Sequence, residues 1–141
     1  MAEIINMQLM RYINLFSKVA RVSTTKCFVY NNQIVFAVPK SQVSMAIGKN
    51  AENVKRLRDI LRKKIKVVAM PSIDSHEGIA KFVGDVVDPI EFNKVEVNDA
   101  LVTINAGRQS KAALIGRGRI REKELSEVLK NFFKIGKLRI A

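Results

Sequence analysis

Apolar residues recur along the chain with two different periods, and the changes from one period to the other mark out its elements. Ile5, Leu9, Ile13, Phe16 and Ala20 repeat at three- and four-residue steps, so residues 3–20 read as an amphipathic helix. Residues 26–30 and 33–38 are rich in β-branched and aromatic side chains and read as strands. Asn31-Asn32 between them suits a two-residue hairpin turn, because asparagine tolerates positive φ. Pro39 ends the second strand, and Ser41 is placed to cap the helix that follows. Val43, Ala46 and Ile47 at helical spacing then run straight into Gly48-Lys49-Asn50-Ala51. Beyond it Val54, Leu57 and Leu61 mark one face of another helix, and a strand at 65–69 follows.

The second half repeats this order after a short connector at 70–75. Ile79, Phe82, Val83 and Val86 predict a helix ending before Pro89, and residues 94–97 and 101–104 predict strands around a turn at Asn98-Asp99. Ala112 and Ile115 fall on a short helix that leads into Gly116-Arg117-Gly118-Arg119. Leu125, Val128, Leu129 and Phe132 mark a longer helix, with Gly136 as its stop and a last strand at 137–140. Asn31 maps to Asn98 and Gly48 to Gly116, offsets of 67 and 68. The pattern is that of an internal repeat, two α+β domains at 1–70 and 71–141.

Charge turns this architecture toward a ligand. The formal net charge is +12, which implies a polyanionic partner. Residues 40–66 hold nine Lys/Arg against Glu52 and Asp59, and residues 108–139 hold ten against Glu122, Glu124 and Glu127. Each block is therefore +7, and the rest of the chain is slightly acidic. Each block also sits on a glycine-containing loop and the helix after it.

Other chemistry finds little support. The single cysteine, Cys27, cannot form an internal disulfide or hold a metal alone, and its place in a strand suits packing. His76 is the only histidine, and its neighbours Ser75 and Glu77 do not point at it as a triad would. No phosphate-loop motif, catalytic constellation or metal-ligand cluster is present, so neither an enzyme nor a cofactor is implied. No apolar run approaches the roughly 20 residues of a membrane span, and the first residues lack a secretory pattern. The expectation is a cytoplasmic protein that does not engage membranes.

The loop between two helices supplies the recognition chemistry. N–H groups at a helix start lack intrahelical partners, the helix dipole there favours anions, and Gly48 lets a phosphate approach the backbone. Lys55, Arg58 and Arg62 add cations along the second helix, while Ile47 and Val54, with the strand at 66–68, can line a groove for bases. On this reading Gly48→Asp weakens RNA binding without unfolding the domain.

Ile47-Gly48-Lys49-Asn50-Ala51 is similar to the I-G-x-x-G loop of a K-homology (KH) domain, which clamps about four nucleotides. A helix, two strands, a loop-joined helix pair and a third strand resemble the type II KH order. Two such units across the chain resemble the archaeal NusA-like family of transcription factors. The run FVYNNQIVFAVPKSQVSMAIGKNAENVKRL carries the resemblance best, and the C-terminal half departs further. What the resemblance implies is two tandem type II KH domains, each a three-stranded sheet with helices packed on one face. It further implies single-stranded RNA binding in transcription termination or antitermination, with RNA polymerase as an associate.

Both loops depart from the motif. Ala51, a good first-turn helix residue, stands in place of the second glycine, and Gly116 is followed by Gly118 and Arg119, at the wrong spacing. Ile115, Gly116, Arg117, Gly118, Arg119 and Arg121 are the matching candidates in the second half, with the arginines supplying charge. Duplex DNA is the less favoured ligand. A ribosome or ribonucleoprotein assembly role and an accessory role beside an RNA-processing enzyme are the alternatives.

Overall fold

The structure, a computed structural model, describes residues 7–71 and 76–141. By its internal contacts the chain divides into two compact units, Met1–Ser72 and Ile73–Ala141. In unit 1, helix α1 (Met7–Ala20) precedes a hairpin of β1 (Lys26–Tyr30) and β2 (Gln33–Pro39). Helices α2 (Val43–Ile47) and α3 (Glu52–Leu61) follow, and β3 (Lys64–Met70) closes the unit. The sheet order is β1-β2-β3, with β2 antiparallel to β1 and parallel to β3. Tyr30 pairs with Gln33, leaving Asn31 and Asn32 as the turn at φ 53° and 60°. Positive φ at both positions matches the right-handed twist of a two-residue hairpin.

One apolar cluster holds unit 1 together. It joins Tyr12, Phe16 and Ala20 of α1 to Cys27, to Ile34, Phe36 and Val38 of β2, to Ala46 of α2 and to Leu57 of α3. Alternate residues of a strand share a face, so the three helices pack on the same side of β2. Phe16 and Phe36 are fully buried and stack with their ring centroids 4.2 Å apart.

Cys27 belongs to this core, and burial pushes its thiol from 9.0 up to about 12. Folding thus favours the neutral thiol. Its contribution to stability is complete below pH 9.0 and declines as pH rises toward about 12. A thiol reagent at pH 8 is expected to label Cys27 at the rate of unfolding, and urea should accelerate labelling; rapid labelling of the folded chain would contradict this burial.

Unit 2 comprises α4 (His76–Val87), β4 (Lys94–Asn98), β5 (Leu101–Asn105), α5 (Arg108–Ile115), α6 (Ile120–Phe133) and β6 (Lys137–Ile140). Its sheet has the order β4-β5-β6, again antiparallel then parallel. Val97, Val102, Ile104, Leu138 and Ile140 are all buried, and the register places them on one face. Ile79, Phe82 and Val83 of α4 and Leu125 and Leu129 of α6 are buried as well.

Several local expectations are corrected. The described part of the first helix begins at Met7, and residues 3–6 and 72–75 of the expected helix and connector lie outside the described residues. The second turn is Asp99-Ala100, because Asn98 remains in β4 and pairs with Leu101. That places the turn 68 positions after Asn31, the same offset that separates Gly116 from Gly48. Ser41 caps nothing: a 3-10 turn at Lys40–Gln42 precedes α2, whose start has no side-chain cap. Lys134, at φ 56°, ends α6 in place of Gly136. On that helix Phe133 is buried and Phe132 only half-buried.

Candidate nucleic-acid interface

The loop at Gly48 is built on three positive-φ residues, the first, third and fourth of its four positions. Gly48 has φ 84°, and its N–H donates to Ser44 O at 3.0 Å, closing α2. Asn50 lies at φ 56°, ψ 31°, and Ala51 at φ 59°, ψ 29°, immediately before α3. Ala51 is therefore not a helical residue, contrary to its expected place in the first turn. A left-handed conformation costs an L-residue with a Cβ roughly 1–2 kcal/mol. Part of that relief is offset by the backbone freedom that glycine adds to the unfolded chain. Ala51→Gly is accordingly expected to stabilise unit 1 by about 0.5–1 kcal/mol, which urea unfolding of the parent and variant will measure.

The second loop repeats this conformation with different residues. Gly116 has φ 76°, Gly118 φ 64° and ψ 21°, and Arg119 φ 64° and ψ 24°. The Gly116 N–H donates to Ala112 O at 2.9 Å, as Gly48 does to Ser44 O. The spacing that looks wrong in the sequence thus corresponds position by position. The first, third and fourth residues take positive φ, whether they are Gly, Asn and Ala or Gly, Gly and Arg.

Asn53 is a residue that sequence reasoning missed. Its Nδ2 donates to Met45 O at 3.2 Å, linking the start of α3 to the end of α2. A Cβ on Gly48 would lie 2.9 Å from Asn53 Cγ and 3.1 Å from its backbone N. Gly48→Asp would therefore distort the loop as well as repel phosphate, and it does not isolate binding. No sequence signal marks Asn53, since the repeat places Arg121 in the same position.

The remaining candidates divide by exposure. Lys49, Asn50, Lys55, Arg58 and Arg62 are exposed, and none is ion-paired to a described residue. Arg62 stands just past α3 as its left-handed cap at φ 57°. Ile47 and Val54 are half-buried and lie outside the core cluster, whereas Ala46 and Leu57 lie within it. Beside them runs β3, an edge strand packed against both α2 and α3. Ile65 and Val67 of β3 pack on the helix side, and Val68, 3% exposed, is too buried to line an open groove.

In unit 2, Ile115 is half-buried, Arg117, Gly118 and Arg119 are exposed, and Arg121 is not. The Arg121 guanidinium lies 2.6 Å from Glu124 Oε1, with only 18% of the side chain exposed. Glu122 takes the place of Val54 and sits 3.9 Å from Arg119. The two units therefore share a loop backbone but differ in the surface beside it. Among the described residues no His/Cys/Asp/Glu group could hold a metal, and no helix is long and apolar enough to cross a membrane.

A helix and hairpin followed by two helices joined through a left-handed cationic loop is the arrangement of a KH domain, a fold known for binding RNA. Residues 10–77 match the KH domain family. The chain is 29% identical over 133 residues to a "Probable transcription termination protein NusA" of Methanocaldococcus jannaschii, covering 91% of this chain and 69% of that protein. A protein of the same name from Methanococcus vannielii is 32% identical over 108 residues, covering 74% of this chain and 60% of the relative. A solved structure, "Crystal structure of APE1850", is 28% identical, with a TM-score of 0.65, and the match covers 97% of this chain and 100% of that one. Residues 10–77 thus match a KH domain, and most of the chain is similar to proteins named as probable NusA.

Proposed function

We propose that the chain is a transcription termination or antitermination factor, built of two tandem type II KH domains at 1–70 and 71–141, that binds nascent single-stranded RNA beside RNA polymerase in the cytoplasm. The observation that carries this reading is the loop at Gly48: a left-handed turn between two helices, faced by cations with no ion pair among the described residues and flanked by Ile47, Val54 and an edge strand. Phosphates lie against the loop and beside Lys49, Lys55, Arg58 and Arg62, while bases rest on Ile47 and Val54. The names carried by the similar proteins of M. jannaschii and M. vannielii support the link to termination.

Neutralising about four to six phosphates of a single strand gives a log–log salt slope of roughly −3 to −4. Titrating a labelled oligoribonucleotide at several salt concentrations is expected to return that slope, with duplex DNA competing poorly. A slope near zero, or better competition by duplex DNA, would remove single-stranded RNA as the ligand. In a purified transcription reaction, adding the protein should change readthrough at a terminator. Unchanged readthrough in a reaction where the RNA is bound would separate binding from termination.

A further inference from the structure

The two loops have the same backbone but different charges five and eight residues after their first glycine. In unit 1 these positions are Asn53 and Arg56; in unit 2 they are Arg121 and Glu124. Asn53 spans to a main-chain oxygen of α2, whereas Arg121 turns along its own helix to Glu124, at 2.6 Å. Both members of that pair are shielded, at 18% and 24% exposure, while the neighbouring Arg119 is 75% exposed and only 3.9 Å from Glu122. The Arg121 stem lies across Gly116 so closely that a Cβ there would meet its Cγ at 2.6 Å. Its stem is thus held at the root of the loop while its guanidinium pairs with a carboxylate one turn along the helix.

We propose that Glu124 withholds Arg121 from the phosphates of bound RNA, so that the second loop grips fewer phosphates than its count of arginines allows. Glu124 is then the residue that makes unit 2 the weaker RNA binder of the two units. A charge-assisted, shielded pair at this distance holds the guanidinium fork in one orientation. Released from it, Arg121 needs only rotations about its outer bonds to face a phosphate at Gly116. Arg117 and Arg119 remain the cations that unit 2 offers. This inference rests on the proposed binding of RNA by the chain and extends that binding to the second loop.

Four variants of the full chain test it, with a single-stranded oligoribonucleotide long enough to span both units, titrated across salt concentrations. Glu124→Gln is expected to bind about three- to tenfold more tightly and to steepen the salt slope by about 0.7, the increment for one further phosphate on a single strand. Arg121→Met, which keeps the stem over Gly116, should leave the slope unchanged. In the double variant the gain from Glu124→Gln should vanish. A gain that persists in the double variant would make Glu124 a general repulsive charge and overturn the proposal, as would a flatter slope in Arg121→Met alone. Arg117→Gln is the control for the underlying reading and should flatten the slope by about 0.7. If Arg117→Gln has that effect and Glu124→Gln gives no gain, the withholding role alone falls. If neither variant has any effect, the second loop does not meet RNA, and the proposed two-loop binding falls with it.

Discussion

Replacing Lys49 and Asn50 together with aspartate is expected to weaken single-stranded RNA binding about thirtyfold or more while leaving the unfolding midpoint of unit 1 nearly unchanged. Both side chains are exposed on the loop, so the substitutions remove no core contact. Asn50 sits at φ 56°, and aspartate is among the residues that visit that region through local hydrogen bonding. The pair of changes converts one cation and one neutral group into two carboxylates where a phosphate must lie. Losing one charge-assisted hydrogen bond costs about 1.5–3 kcal/mol, and about 2 kcal/mol is already thirtyfold in affinity. Repulsion adds to this. Fluorescence anisotropy with a labelled oligoribonucleotide, paired with urea unfolding, checks both halves. Parental affinity in a folded double variant would take the first loop out of the binding site.

Phe36→Ala carries the largest effect on stability, a loss of about 3–5 kcal/mol. Phe36 is fully buried on the central strand of the first sheet and stacks on Phe16 at 4.2 Å. It sits in the cluster that ties α1, α2 and α3 to β2, so the cavity would open where the three helices converge. At roughly 0.05–0.15 kcal/mol per residue, a unit of this size has little more than that to lose. Urea unfolding should show the first unit largely or wholly unfolded, with RNA binding by its loop lost in proportion. Phe36→Leu, which keeps an apolar group of similar bulk, is expected to be far milder. Equal damage from both would mean that ring stacking, rather than volume, holds the core.

The parts of this fold that follow from periodicity are legible in the sequence. The strands at 26–30 and 137–140 match the expectation, and Ile34, Phe36 and Val38 fall on one face as alternation requires. What escaped was backbone conformation at residues whose type argues against it. Ala51, Arg119 and Lys134 all hold positive φ, which no propensity for alanine, arginine or lysine suggests. For the same reason the second loop looked misspaced: glycines can be counted in a sequence, but left-handed positions occupied by other residues cannot. The surroundings of Arg121 escape the sequence for a different reason. Its charge suits RNA, but a carboxylate one helical turn away takes it. Asn53 was invisible because its partner is a main-chain oxygen.

The placement of lysines on the two sheets changes how the net charge of +12 should be understood. The outer strands β1, β3, β4 and β6 all begin with lysine, and β3 and β6 carry a second cation at Lys66 and Arg139. The inner strands β2 and β5 carry none. Cations along an exposed strand border discourage a foreign chain from adding to the sheet. Positive charge at these borders therefore has a use against self-association that needs no ligand.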